Sequence, residues 1–247
     1  MSKLADSIKR CTRVDGGHLG FGLGGQQAAA TATMLCLLRL DKDGAKKADK
    51  DSGADAVIVG GVDPGKAGGL ASKLGDTPLG LLLNAADRDG VQAAREAAAD
   101  FVLLDGSAAA EALLEEKVGL VLRLDGDLGD TELRALAGLS VDALEIAALE
   151  EPFTLRRLMA VRRLALLAQT PLLVEVAADI SASRLEALRD SGVVGVILDG
   201  RSASRLGALR KTVASLPPRG RKRGEHSDAL LPSLIGHPSD EDDEDDE

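Results

Sequence analysis

The chain has 247 residues, 45% of them hydrophobic and 28% charged, with a net charge of −10 at pH 7. That much apolar material supplies one sizeable core and excludes an unstructured chain over most of its length. Three phenylalanines, with no Trp or Tyr, argue against ligands held by ring stacking, single-stranded nucleic acid among them. Two cysteines, Cys11 and Cys36, are too few for a disulfide framework or a thiolate metal cluster, and are read as reduced thiols in a cytoplasmic protein. No secretory pattern or membrane-spanning run is expected. From Leu216 onward there are 10 acids against 4 Arg/Lys. The remainder is only mildly acidic, and no nucleic-acid footprint is expected.

Residues 1–33 read as a segment ahead of the main fold. GHLGFGLGG (17–25) contains G-x-G-x-x-G at Gly20, Gly22 and Gly25, and Asp41 follows at the spacing of a ribose-binding acid. A dinucleotide site needs a strand immediately before those glycines. The preceding IKRCTRVDG is polar, so the stretch is read as a Gly-rich arm that covers one end of the fold or reaches another subunit. His18 is expected to be a surface residue within it.

Residues 34–216 alternate short apolar runs with Ala/Leu/Arg-rich stretches of helical period. The runs are MLCLLRLD (34–41), AVIVGG (56–61), LGLLLN (79–84), FVLLDG (101–106), GLVLRLDG (119–126), ALEIAAL (143–149), LLVEVAA (172–178) and VVGVILDG (193–200). Near-continuous apolar strands are covered on both faces, the mark of a parallel sheet. Eight such units predict an α/β fold, a (βα)8 TIM-type barrel, with an open doubly wound sheet as the alternative. The halves also resemble each other. LRLD recurs at 38–41 and 122–125, GADAVIV (53–59) parallels SVDALEI (140–146), TPL recurs at 77–79 and 170–172, and VLLDG (102–106) returns as VILDG (196–200). The matches pair strands 1/5, 2/6, 3/7 and 4/8 in order, which predicts a half-barrel internal repeat; biased composition is the alternative source.

Charges gather where the runs finish. Arg39, Asp41, Asp63, Asp105, Arg123, Asp125, Glu145, Glu175, Asp199 and Arg201 would meet at one barrel mouth, where catalytic residues of such barrels lie. Arg39/Asp41 and Arg123/Asp125 are i, i+2 pairs, so each pair shares one strand face. A carboxylate inside an apolar run must pair, bind a metal or take up a proton. Two uses follow: a closed ion network, or a site in which Asp41, Asp125 and Glu175 move protons while Arg39, Arg123 and Arg201 grip an anion. Asp105, Glu145 and Asp199 are the candidates for oxygen ligation of Mg²⁺, the one cofactor considered. No Lys or His lies within a predicted strand, which argues against a Schiff-base nucleophile and a His-ligated zinc.

SASRLEALR (181–189) returns as SASRLGALR (202–210). Ser183 and Ser204 read as helix N-caps, with SRLE (183–186) as a capping box. Helix starts also suit anions, and loops after strands 7 and 8 of such barrels commonly hold phosphate. Ser181, Ser183, Ser202, Ser204 and Arg201 would supply the donors. The stretch LLVEVAADISASRLEALRDSGVVGVILDG (172–200) resembles the strand 7–strand 8 region of phosphate-binding barrels of the phosphoribosyl-handling and histidine-biosynthesis types. The half-barrel pattern and the acids Asp41 and Asp125 are similar to the latter. That resemblance implies a phosphate-binding (βα)8 barrel. The chain departs from it after strand 7, where a glycine pair is usual and Ala178–Asp179 stands instead; a carboxylate there repels phosphate.

Residues 217–247 are predicted to be a disordered tail, basic in LPPRGRKRG and acidic in SDEDDEDDE, with LLPSLIG between as a docking segment or part of a solvating tail. Two functions are carried forward. One is a lyase or isomerase acting on a small phosphorylated or carboxylated metabolite at the barrel mouth. The other is a non-catalytic barrel serving as a binding, assembly or regulatory module, contacting a second copy or another protein through its Gly-rich arm and tail.

Overall fold

The structure, a computed structural model, describes residues 2–12, 33–45, 52–84, 86–149 and 151–217. The eight apolar runs are eight strands: β1 Leu35–Leu40, β2 Ala56–Val59, β3 Leu79–Leu83, β4 Phe101–Leu104, β5 Gly119–Leu124, β6 Ala143–Ile146, β7 Leu172–Val176 and β8 Val193–Asp199. All neighbours pair in parallel, and β8 pairs back onto β1 with Leu35 opposite Gly195 and Arg39 opposite Asp199. The sheet is a closed barrel, not the open doubly wound alternative.

Alternation along each strand splits the buried residues into two clusters. Leu38, Leu40, Val57, Val59, Val102 and Leu104 face outward and meet helices. Leu35, Leu37, Ala56, Ile58, Phe101, Leu103, Val121, Ala143, Leu173 and Ile197 fill the bore. Gly80 makes that filling possible: a Cβ there would lie 2.3 Å from the Phe101 ring.

The helices are α1 Lys3–Thr12, α2 Lys42–Ala45, α3 Gly68–Leu74, α4 Arg88–Glu96, α5 Asp130–Leu136, α6 Leu155–Ala168, α7 Ala182–Asp190 and α8 Leu206–Ala214. The link from β4 to β5 holds only a 3-10 stretch, Ala110–Leu114, so one of the eight units lacks its α-helix.

α1 was not expected. Leu4, Ile8 and Cys11 recur on one helical face and are buried against the first inward residues of the strands. They close the end of the bore where the strands begin. Asp100, just before β4, holds the helix start: its carboxylate accepts from the Lys3 N–H at 2.8 Å, the Leu4 N–H at 3.0 Å and the Ser2 hydroxyl at 2.7 Å. Part of the polar stretch IKRCTRVDG therefore belongs to a docked amphipathic helix. The Gly-rich segment 17–25 and the tail from residue 218 lie outside the described residues. With one end closed by α1, the other end, where the strands finish, is left to carry a site.

Candidate functional site

Following the inward side of the strands toward that end, hydrocarbon gives way to charge. β1 reads Leu35, Leu37, Arg39; β5 reads Val121, Arg123; β6 reads Ala143, Glu145; β7 reads Leu173, Glu175. Arg123 and Glu145 are direct neighbours in register. Arg39 spans the bore, with Nη2 2.5 Å from Glu145 Oε1 and Nη1 3.0 Å from Glu175 Oε2. Arg123 Nε lies 3.9 Å from the same Glu145 oxygen and 3.7 Å from Asp125. Three carboxylates thus share two guanidinium groups.

Glu145 is fully buried. It is ion-paired, yet neither of its oxygens accepts a hydrogen bond of good geometry. Glu175 and Arg123 keep partly exposed side chains. The strand-end charges therefore form the ion network that the sequence offered as one alternative, with Glu175 at its accessible edge.

Two cavities flank the network. The larger, about 720 Å³, opens at the ends of β8, β1 and β2, and Arg39, Asp41, Lys42, Gly60, Asp199 and Arg201 line it. The Lys42 and Arg201 side chains make no ion pair among the described residues. The smaller, about 430 Å³, lies beyond β6 and β7 and is lined by Leu149, Phe153, Val176, Ile180 and Glu175, among others. At its rim Arg184 donates to both oxygens of Glu151, at 2.6 and 3.1 Å, and stands over the Phe153 ring. Arg39 lines one cavity and Glu175 the other, so their ion pair is the wall between them.

Several candidates have local partners. Asp41 accepts from the Gly44 N–H at 2.6 Å and opens α2. Asp105 accepts from the Ser107 N–H and hydroxyl. Asp199 accepts from the Arg201 N–H at 2.8 Å and caps the 3-10 stretch Gly200–Arg205. Among the described residues no three His, Cys, Asp or Glu side chains gather as a metal-binding group, so Asp105, Glu145 and Asp199 are not brought together.

The serine reading needs correction. Ser181, not Ser183, caps α7, accepting from the Arg184 N–H at 3.4 Å. Ser183 lies inside the helix, and the capping box 183–186 does not form. Ser202 and Ser204 lie within the 3-10 stretch, and α8 begins after Arg205 with no side-chain cap. The same five residues, SASRL, therefore start one α-helix and fill one 3-10 stretch. Asp199 begins the second turn earlier, because its carboxylate caps residue 201 directly after the strand. The Ala178–Asp179 departure stands in a closed turn, with the Ile180 N–H donating to Ala177 O at 3.2 Å.

Sequence reasoning missed Lys42, Glu151, Phe153 and Arg184. Lys42 was within reach, as the residue directly after a charged strand end. The Glu151–Arg184 pair spans two loops and left no local signal.

No family model matches the chain, and no curated protein matches it in sequence. Solved structures match its fold. One belongs to the tryptophan synthase a2b2 complex of the hyperthermophile Pyrococcus furiosus, at a TM-score of 0.54 and 15% identity over 74% of this chain and 97% of that one. KGPDC from Streptococcus mutans matches at 0.58 and 13% identity, over 74% and 98%. The same protein in complex with a phosphorylated small molecule matches at 0.59 and 14% identity over the same shares. At these identities the likeness establishes the closed (βα)8 barrel and nothing finer.

Proposed function

We propose that the strand-end mouth binds a small phosphorylated or carboxylated metabolite and acts on it by proton transfer, as a lyase or isomerase. The observation that carries this reading is the larger cavity, where two cations without ion-pair partners, Lys42 and Arg201, stand beside Arg39. Cations converging on one cavity favour an anion. Arg201 and Lys42 bind it, and Arg39 orients it while remaining tied to Glu175. Glu175, at the accessible edge of the network, accepts or returns the proton; Asp41 and Asp125 are the other carboxylates within the mouth. Ser181, Ser183, Ser202 and Ser204 are left as subsidiary donors. Mg²⁺ is not required by this scheme. The solved neighbour in complex with a phosphorylated small molecule supports the choice of probe.

A second reading has its own support. Asp199 already occupies the N–H group that would face an anion after β8, and Asp179 stands in the turn after β7. Both disfavour phosphate and fit a non-catalytic barrel acting as a binding or assembly module.

The test is thermal unfolding of the full chain in inorganic phosphate and in a pentose phosphate, ribulose phosphate, against chloride at matched ionic strength. Ligand at 100 times its Kd adds about 2.7 kcal/mol to stability. The expected result is a raised midpoint that Arg201→Ala and Lys42→Ala abolish. Solvent deuterium entering the ligand carbon then separates catalysis from binding. A raised midpoint without exchange favours the module, and no rise with either anion ends the anion-site reading.

A further inference from the structure

α6 carries an uncovered apolar stripe. Leu155, Met159 and Leu166 are 72%, 63% and 56% exposed, and with Arg162 they recur at helical spacing along one face. Large apolar side chains grouped in this way mark a contact surface. The helix is also basic, with Arg156, Arg157, Arg162 and Arg163 on its 14 residues. Arg163 is paired with Asp127 and Asp130, but Arg156 has no ion pair among the described residues. Arg162 donates only to a carbonyl, that of Asp190, at 3.2 Å.

That carbonyl locates the way out of the fold. Arg189, beside Asp190 and buried, donates to Pro217 O. The chain therefore leaves the described structure next to the middle of α6. The residues that follow have the composition to cover it: LLPSLIG at 230–236, then eight consecutive acids, Asp240 to Glu247. From Pro217, 13 residues reach Leu230, a span of up to roughly 43 Å in extended chain. The apolar stripe itself is about 17 Å long, at 1.5 Å per residue.

We propose that the α6 stripe is the seat of this chain's own residues 230–236. Leu230, Leu231, Leu234 and Ile235 lie on Leu155, Met159 and Leu166, and the terminal acids approach Arg156 and Arg162. Attachment favours the tail over a free partner, because a tethered segment acts at an effective concentration of about millimolar.

The test uses the full chain with its three methionines replaced by photo-methionine. Met34 is buried, so Met159 reports on the stripe. The expected product is a cross-link from Met159 to residues 230–236 within one chain. It should disappear in the tail variant Leu231→Ser/Leu234→Ser, which cannot disturb the barrel core. A Met159 cross-link into a second chain, no cross-link to 230–236, or one that survives the tail variant would each overturn the proposal. Thermolysin gives an independent reading. Cleavage within 230–236 should be roughly tenfold faster in Met159→Ser/Leu166→Ser, because proteolysis follows the undocked population. Equal rates would also overturn it.

Discussion

Arg39 and Glu145 face each other across the barrel bore with Nη2 and Oε1 2.5 Å apart, and each depends differently on the other. Without Glu145, Arg39 keeps Glu175 and Arg123 keeps Asp125. Without Arg39, the fully buried Glu145 keeps only Arg123 at 3.9 Å. Stranding one member of a buried pair costs about 3–5 kcal/mol, whereas replacing buried charge by hydrocarbon is often neutral. Arg39→Met should therefore destabilise by about 3–5 kcal/mol and Glu145→Met by much less, as read from urea midpoints. Equal losses would mean that the network does not divide in this way.

The twin SASRL stretches give a paired prediction. Ser181 caps α7 and Ser204 caps nothing. Ser181→Ala should cost about 1 kcal/mol, the usual worth of an N-cap. Ser204→Ala should fall within about 0.5 kcal/mol of zero, as exposed substitutions away from caps do. Thermal melts of the two variants decide it.

Asp100 holds the start of α1 through two backbone N–H groups. Asp100→Ala should cost about 1–2 kcal/mol and raise amide hydrogen exchange in residues 3–12 before the strands exchange. Gly80→Ala acts on the same end of the bore by another route. Its methyl group meets the Phe101 ring, and overpacking of this kind costs about 1–3 kcal/mol. Calorimetric midpoints of the two variants read both losses.

Burial pushes the Cys36 thiol from its ordinary value of 9.0 up to about 12, with the nearby Asp55 carboxylate acting in the same direction. The unfolded chain thus loses this proton near pH 9 while the folded chain retains it. The contribution to stability is fully present below pH 9 and is lost as pH rises toward 12. The loss is at most about 1.4 kcal/mol per pH unit from this one group. Cys36→Val should flatten the alkaline limb of a stability–pH profile by that amount. An unchanged limb would locate the alkaline loss elsewhere.

The strands were legible because hydrophobic alternation is a local signal: each observed strand falls within the run that predicted it. The convergence of Arg39, Arg123, Glu145 and Glu175 followed once closure was assumed, since i, i+2 spacing fixes the shared face. Their partition into pairs was not legible, because it depends on how far one guanidinium reaches across a bore. α1 was missed although Leu4, Ile8 and Cys11 carry the stripe; the charged residues between them masked it, and its anchor at Asp100 is nearly a hundred positions away. The second SASRL defeated local reading altogether. Its conformation is decided by Asp199, which precedes the repeated residues.

α1 is the first element to be synthesised, but its seat belongs to strands made much later. Phe101 and Val121, against which Leu4 and Ile8 are buried, come from β4 and β5. During translation the helix must therefore wait through roughly a hundred residues, about 5–20 s at ordinary elongation rates. For that interval its apolar face has no native partner. Of all segments in the barrel, this one is made earliest and docks late, which makes it the natural place for a chaperone to hold the nascent chain and for a stalled ribosome to expose a sticky end.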